Sequence, residues 1–249
     1  VYKSLKKKYK VKILDPKVDL IKKLRLFKPD VVFNALHGRY GEDGYIQAIL
    51  EAEKIKYTHS GVISSFKAMN KTLSKTIFKK NKILTPKSFV YSFKNPLKKN
   101  KLINQINKQL KFPVVIKPTN EGSSVGVKIC NKNNIIKNLL NMKEYENVLI
   151  ESYIPGREIQ AAILGNKKLG AIELVPKRKF YDYKAKYSKQ ANTKHIMPAK
   201  IEKKDYEKIN NIALKAHKLL KCRGVSRSDF RFYKKKFYLL ELNTQPGMT

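Results

Sequence analysis

The sequence predicts a mixed chain, α/β in its first part and α+β in its second. Three observations predict it. Short β-branched runs alternate with stretches of helical period up to about residue 153. Beyond that point strand follows strand with turn residues between them, the pattern of antiparallel pairing. An apolar fraction of 42% over 249 residues is ample for packed cores, in roughly one to three domains.

Taken in order, residues 9–14 (YKVKIL) alternate as a short strand, and 17–28 can form a helix. Val31–Ala35 reads as a buried parallel strand feeding the loop LHGRYGEDG, then come a helix over 44–54 and a short strand near 55–58. A long helix is expected across 60–80, with Phe66, Met69, Leu73, Ile77 and Phe78 as its apolar face. A second segment gives a strand at 87–91, a helix at 97–110 and the strand FPVVIKP, which leads into the loop TNEGSSVG. A strand at 126–130, a helix at 132–143 and the strand NVLIESYI follow. Past Pro155, strands 157–164 and 168–175 make a hairpin around LGNKKLG, where Gly and Asn turn the chain. Residues 176–197 are polar, aromatic and irregular, long enough for a functional lid. A helix over 202–221 and the antiparallel pair VSRSDFRF and KFYLLELN complete the readable chain. The expected units are 1–68, 69–153 and 154–249.

Lys+Arg number 55 and Asp+Glu 19, a formal charge of +36, which points first to polyanions. Only seven of the 55 bases are arginine, however, and bidentate base readout and phosphate clamps favour arginine. Frequent Asn, Ile, Tyr and Phe also suit compositional bias, so charge alone excludes little. No apolar run approaches the roughly 18 residues of a membrane span. Two cysteines, Cys130 and Cys222, read as reduced thiols of a cytosolic protein. They have no zinc spacing with His59, His195 or His217.

Chemistry concentrates among the scarce acids. SDFRFYKKKFYLLELN puts Asp229 on one strand and Glu241 and Asn243 on its hairpin partner, and the last two share a sheet face. Three oxygen ligands suit Mg2+, whose remaining partners can be substrate phosphates. Lys117 ends the strand PVVIK beside the Ser/Gly loop, and Lys71 lies in the long helix; such groups can meet phosphate oxygens, although EGSSVG matches neither GxxxxGK[ST] nor GxGxxG and suits an ordinary turn equally well. Glu151 and Glu158 flank the turn IPG. They fit either solvated strand ends or a nucleobase and ribose slot beside Tyr153 and Ile154. Arg227 and Lys186 could neutralise a phosphoryl group or an oxyanion, or simply pair with acids at the surface. His37 follows its strand at the carboxyl edge, where open sheets bind ligands.

In order along the chain, FNALHGRYGEDG, MNK, VVIKPTNEGSSVGV, VLIESYIPGRE, FYDYKAKYS, SRSDF and LLELNTQPGMT resemble the motifs of the D-alanine–D-alanine ligases of the ATP-grasp superfamily. The resemblance implies an ATP-grasp fold behind an incomplete N-terminal α/β domain. By motif, Lys71 and Lys117 resemble the lysines on the ATP phosphates, and Ser123 lies in the mobile loop above them. Glu151, Ser152 and Ile154 resemble the adenine-contacting hinge, and Glu158 the ribose acid. Lys186 and Tyr187 match the lid segment. Asp229, Glu241 and Asn243 resemble the ligands of two Mg2+ ions, with Mn2+ as an alternative. Arg227 and the Gly247 N–H resemble the groups that stabilise the tetrahedral intermediate, and His37 and Glu42 lie on the substrate side.

The implied reaction begins when one D-alanine carboxylate attacks the γ-phosphoryl group of ATP, giving an acyl phosphate. The amine of a second D-alanine then displaces phosphate, yielding the dipeptide for peptidoglycan synthesis. The implied partners are D-alanine and ATP in a cytoplasmic enzyme that assembles as a homodimer, with neither nucleic acid nor membrane. Family members carry a GGxSxE segment upstream and a Ser-Leu segment downstream, and neither has a match here. On that reading both ends are truncated and the 249 residues alone form little dipeptide. The alternatives are another ATP-grasp carboxylate–amine ligase, including a depsipeptide type, or an inactive ATP-binding fragment. A nucleic-acid-binding module ranks last, for want of stacking runs or arginine clusters.

Overall fold

In a computed structural model of the chain, residues 1–122, 125–176 and 193–247 are described. Eight helices and nine strands lie among the described residues. The N-terminal portion carries α1 (Tyr2–Leu5), α2 (Leu20–Phe27) and α3 (Tyr45–Ala52) around a small core of Leu20, Leu24, Ile46 and Leu50. The strand expected at 9–14 does not form: the segment has no ladder partner, Ile13 is 67% exposed, and Lys10 and Lys12 lie over the Phe27 ring instead. The strand expected at 31–35 is reduced to one parallel bridge, Val32 to Tyr57, and Val31 is exposed.

The long helix expected over 60–80 is two, α4 (Val62–Met69) and α5 (Lys71–Lys80). Asn70 divides them in an extended conformation, and its side-chain oxygen accepts from the Leu73 N–H at 2.9 Å, an N-cap that begins a new helix. The apolar face shrinks accordingly. Phe66 is half exposed, whereas Ser64, Ser65, Ser74 and two lysines, Lys71 and Lys75, are buried.

Strands β1 (Ser88–Ser92), β2 (Val114–Pro118), β3 (Lys128–Cys130) and β4 (Asn147–Ser152) form an antiparallel sheet in the order β1-β4-β2-β3. Helices α6 (Lys99–Gln109) and α7 (Ile135–Leu140) supply Leu102, Ile106, Ile135 and Leu139 to its core, which includes the β2 and β4 residues Val114, Ile116, Val148 and Ile150. Each such side chain, fully buried, contributes about 1.5–3 kcal/mol.

A second antiparallel sheet runs β7-β6-β5-β8-β9, with β5 (Arg157–Leu164), β6 (Lys167–Val175), β7 (Lys194–Ile196), β8 (Val225–Tyr233) and β9 (Lys236–Asn243). Helix α8 (Lys203–Leu219) covers one face with Ile209, Ala213 and Ala216. Ala68, Phe78 and Ile83 belong to this same core, so α4 and α5 strap the second sheet. The β8–β9 turn, Lys234-Lys235, has positive φ at both residues, the geometry of a tight hairpin usually given to Asn-Gly.

Candidate active site

One cleft opens between the two sheets. Lys71 enters it from the start of α5, Lys117 from the end of β2, Glu151, Ser152 and Ile154 from β4 and beyond, Glu158 from β5, Asp229 from β8 and Glu241 from β9. Val115, Val127, Tyr153 and Leu240 add apolar surface. Apolar surface beside eight charged side chains suits a heterocycle with a charged tail.

A regular strand cannot present two successive residues to one face. Here Asp229 faces Glu241 while Phe230 faces Leu239, so Leu240 is an extra residue on β9. This bulge lets both Leu240 and Glu241 line the cleft. Beyond it, Asn243 lies opposite Arg227.

The electrostatics follow from burial. Glu151 lies between two ammonium groups, 2.6 Å from Lys117 and 2.8 Å from Lys75, and all three side chains are less than a tenth exposed. Burial alone would raise the Glu151 pKa, but Lys117 and Lys75 outweigh it and hold the carboxyl below its usual range. Lys71 stands 3.6 Å from Glu241 and donates to the Glu121 carbonyl. Burial lowers its pKa, only partly offset by Glu241, and pulls Lys75 down to about 8. The lining carries three cations, Lys71, Lys117 and Arg231, against five carboxylates, Glu121, Glu151, Glu158, Asp229 and Glu241. The places that favour an anion are therefore local, at the buried Lys71 and Lys117 ammonium groups.

Two further pairs border the cleft. Arg227 grips Asp229 with two bonds, 2.7 and 2.9 Å, and the Asn243 amide donates to the same carboxylate at 3.3 Å. Arg231 lies 3.1 Å from Glu158 and donates to the Gly156 carbonyl at 3.1 Å. The Ser152 hydroxyl is committed to the Leu110 carbonyl and its N–H to the Lys87 carbonyl. Asp229, Glu241 and Asn243 offer two carboxylates and an amide, a hard-oxygen set short of a full shell. Among the described residues no three His, Cys, Asp or Glu side chains cluster to hold a metal by themselves. The set fits Mg2+ only if other oxygens complete its coordination.

His37 and Glu42 sit beside the cleft, with His37 Nδ1 3.7 Å from the Glu42 carboxylate. Burial raises the Glu42 pKa, and nearby Glu241 adds to the rise against the opposing pull of the Gly38 N–H and His37. A Cβ at Gly122 would come 3.0 Å from the Glu42 carboxylate and 3.2 Å from Gly38, so a side chain there would push the two loops apart by a few tenths of an ångström. Gly247, beyond the end of β9, is exposed, with open space about its Cα. Ser123, Lys186, Tyr187 and most of the expected lid over 176–190 lie outside the described residues.

Lys75 and Arg231 escaped the sequence reading. Arg231 follows Asp229 by two strand positions, a spacing that could have revealed it, whereas Lys75, one helical turn past Lys71, carries no mark that sets it apart from the other helix lysines.

Two antiparallel sheets clasping a cleft that buried Lys71 and Lys117 enter place the chain in the ATP-grasp class of folds. A family model described as D-ala D-ala ligase C-terminus matches residues 79–249, and one described as D-ala D-ala ligase N-terminus matches residues 3–60. The chain belongs to the D-alanine–D-alanine ligase family. It is 62% identical over 247 residues to such a ligase of Pelagibacter ubique, covering 98% of this chain and 80% of that one. Among solved structures, a D-alanine–D-alanine ligase of Bacillus anthracis superimposes with a TM-score of 0.84 at 38% identity, covering 98% of this chain and 79% of that one. The same organism's ligase complexed with ATP gives 0.80 at 33% identity, with coverage of 95% and 74%.

Proposed function

We propose that this chain joins two D-alanine molecules into D-alanyl-D-alanine at the expense of ATP, for peptidoglycan synthesis. The observation that carries the reading is the convergence of buried Lys71 and Lys117 with Asp229 and Glu241 on one cleft, in a family of that activity. Lys71 and Lys117 bind the phosphates. The backbone beside Glu151, Ser152 and Ile154 meets the adenine edge, and Glu158 accepts from ribose hydroxyls. Asp229, Glu241 and Asn243 would hold one or two Mg2+ ions, with Mn2+ as substitute, and the metal supplies charge neutralisation at the phosphates when bound.

Against that scaffold, the carboxylate of the first D-alanine takes the γ-phosphoryl group, releasing ADP and forming an acyl phosphate. The amine of the second attacks the acyl carbon and gives up a proton, and inorganic phosphate leaves. Arg227, its guanidinium held in plane by Asp229, stabilises the oxyanion with the Gly247 N–H, and Ser123, Lys186 and Tyr187 close over the reactants. His37 and Glu42 face the amino-acid side. We also propose units at 1–68, 69–153 and 154–249, with α4 and α5 tying the first two to the third, and assembly as a homodimer.

The test is a coupled assay of the protein carrying these residues, with ATP, Mg2+ and D-alanine. The expected result is one ADP and one phosphate per dipeptide, with no dipeptide from L-alanine. A product formed only with D-lactate or D-serine as second substrate would overturn the dipeptide assignment. The D-serine arm matters because the VanG D-Ala:D-Ser ligase of Enterococcus faecalis also superimposes, with a TM-score of 0.77 at 31% identity, covering 88% of this chain and 65% of that one.

A further inference from the structure

Lys75 does not line the cleft; it stands behind the wall and can reach a ligand only through Glu151. Its ammonium lies 2.8 Å from one Glu151 oxygen and donates to the Pro86 carbonyl at 3.3 Å, while the other Glu151 oxygen is 2.6 Å from Lys117. Lys117 does line the cleft. If Lys117 were the sole partner of this buried carboxylate, turning its ammonium toward an incoming anion would strand Glu151 as an uncompensated buried charge. A second cation behind the wall removes that obstacle.

We propose that Lys75 is a positioning residue for nucleotide binding: it neutralises and orients Glu151 from behind, and so releases Lys117 to engage phosphate oxygens. The inference rests on reading the cleft as a nucleotide site. It assigns the two lysines unlike tasks although each contacts the same carboxylate. Lys117 exchanges partners when ligand arrives, and Lys75 does not.

The test measures ATP binding by calorimetry, without D-alanine, in the wild type, Lys75→Met, Glu151→Gln and the double variant. Lys75→Met should weaken ATP binding by about tenfold or more, the worth of one close buried charge pair, because Glu151 then retains Lys117. In turnover the loss should fall on KM for ATP more than on kcat. The double variant, which leaves no unpaired buried carboxylate, should lose less than the product of the two single losses. It also keeps the test open if Lys75→Met does not fold, since it should then fold and bind ATP no worse than Glu151→Gln within about twofold. A merely structural Lys75 predicts a lower urea midpoint for Lys75→Met with unchanged ATP affinity. That outcome, or fully multiplicative losses, overturns the proposal. Wild type that fails to bind ATP overturns the nucleotide reading itself, whereas wild-type binding with an indifferent Lys75→Met overturns only the role of Lys75.

Discussion

Replacing Glu151 by Gln removes one charge and almost no volume, which makes it the sharpest probe of the site's electrostatics. The carboxylate makes close contacts of 2.6 and 2.8 Å with two ammonium groups that water barely reaches. Bonds to charged groups contribute about 1.5–3 kcal/mol each, and breaking a buried pair by removing one partner typically costs about 3–5 kcal/mol. We therefore expect Glu151→Gln to lose about 3–5 kcal/mol, a large share of a stability of roughly 5–15 kcal/mol. Urea unfolding reads this as a lower midpoint at unchanged slope. The pH dependence supplies an independent check. The folded carboxyl is held below its ordinary 4.5, so its contribution is complete above that value and disappears as pH falls through the lower, folded pKa. At the other end Lys75 loses its proton near pH 8 in the folded state against 10.5 unfolded, so over that window the unfolded chain binds more protons and stability rises with pH. The gap between wild type and variant should be widest from about pH 5 to 8 and narrow on both sides. A loss under about 1 kcal/mol, or a gap that does not change with pH, would refute the buried triad.

Arg227→Lys gives up the planar two-bond grip on Asp229, and kcat should fall about 10²-fold with little change in KM for ATP, as steady-state kinetics will show. Glu241→Gln removes the partner of Lys71 and, on the proposed assignment, a metal ligand, so the Mg2+ concentration for half-maximal ADP release should rise about tenfold or more. Gly156→Ala would place a Cβ 2.3 Å from the Phe232 carbonyl at φ +108°, and thermal unfolding should report a loss of about 3 kcal/mol. Lys234→Asn, at φ +47° in the β8–β9 turn, should gain about 0.5–1 kcal/mol in urea unfolding, since Asn tolerates the left-handed region better than Lys.

The strands of both sheets other than β7 were legible because alternation and turn residues are local signals, as in the β5–β6 hairpin about Gly165 and Asn166; β7 falls in the segment 176–197, read as irregular, and is too short to show a period. The shared face of Glu241 and Asn243 followed from strand parity, whereas it is the bulge that sets Glu241 opposite Asp229. What depended on longer range was lost. Asn70 fits a helical pattern by polarity and breaks it by capping, a choice that Leu73 and the close approach of Lys71 N–H to the Thr119 carbonyl decide. The strand at 9–14 had the right alternation and no neighbour. The Leu240 bulge leaves no mark in FYLLEL. Lys75 looks in sequence like any exposed helix lysine in a chain rich in them, and only the fold shows a carboxylate beside it.

The amide cluster where Gln245 donates to the Asn34 carbonyl joins positions 211 residues apart. Gln47 and Asn34 both donate to the Gly41 carbonyl, at 2.8 and 3.0 Å, and seat the HGRYGEDG loop on which Gln245 closes. A ribosome adding about 5–20 residues per second makes Asn34 some 10–40 seconds before Gln245. During that interval the loop waits with its partner unmade. The group left waiting is the Asn34 backbone carbonyl, which water solvates well, and not an aliphatic side chain that would attract other nascent chains. Polar closure at this seam gives up some burial energy and in return gives the growing polypeptide a safe half-finished state.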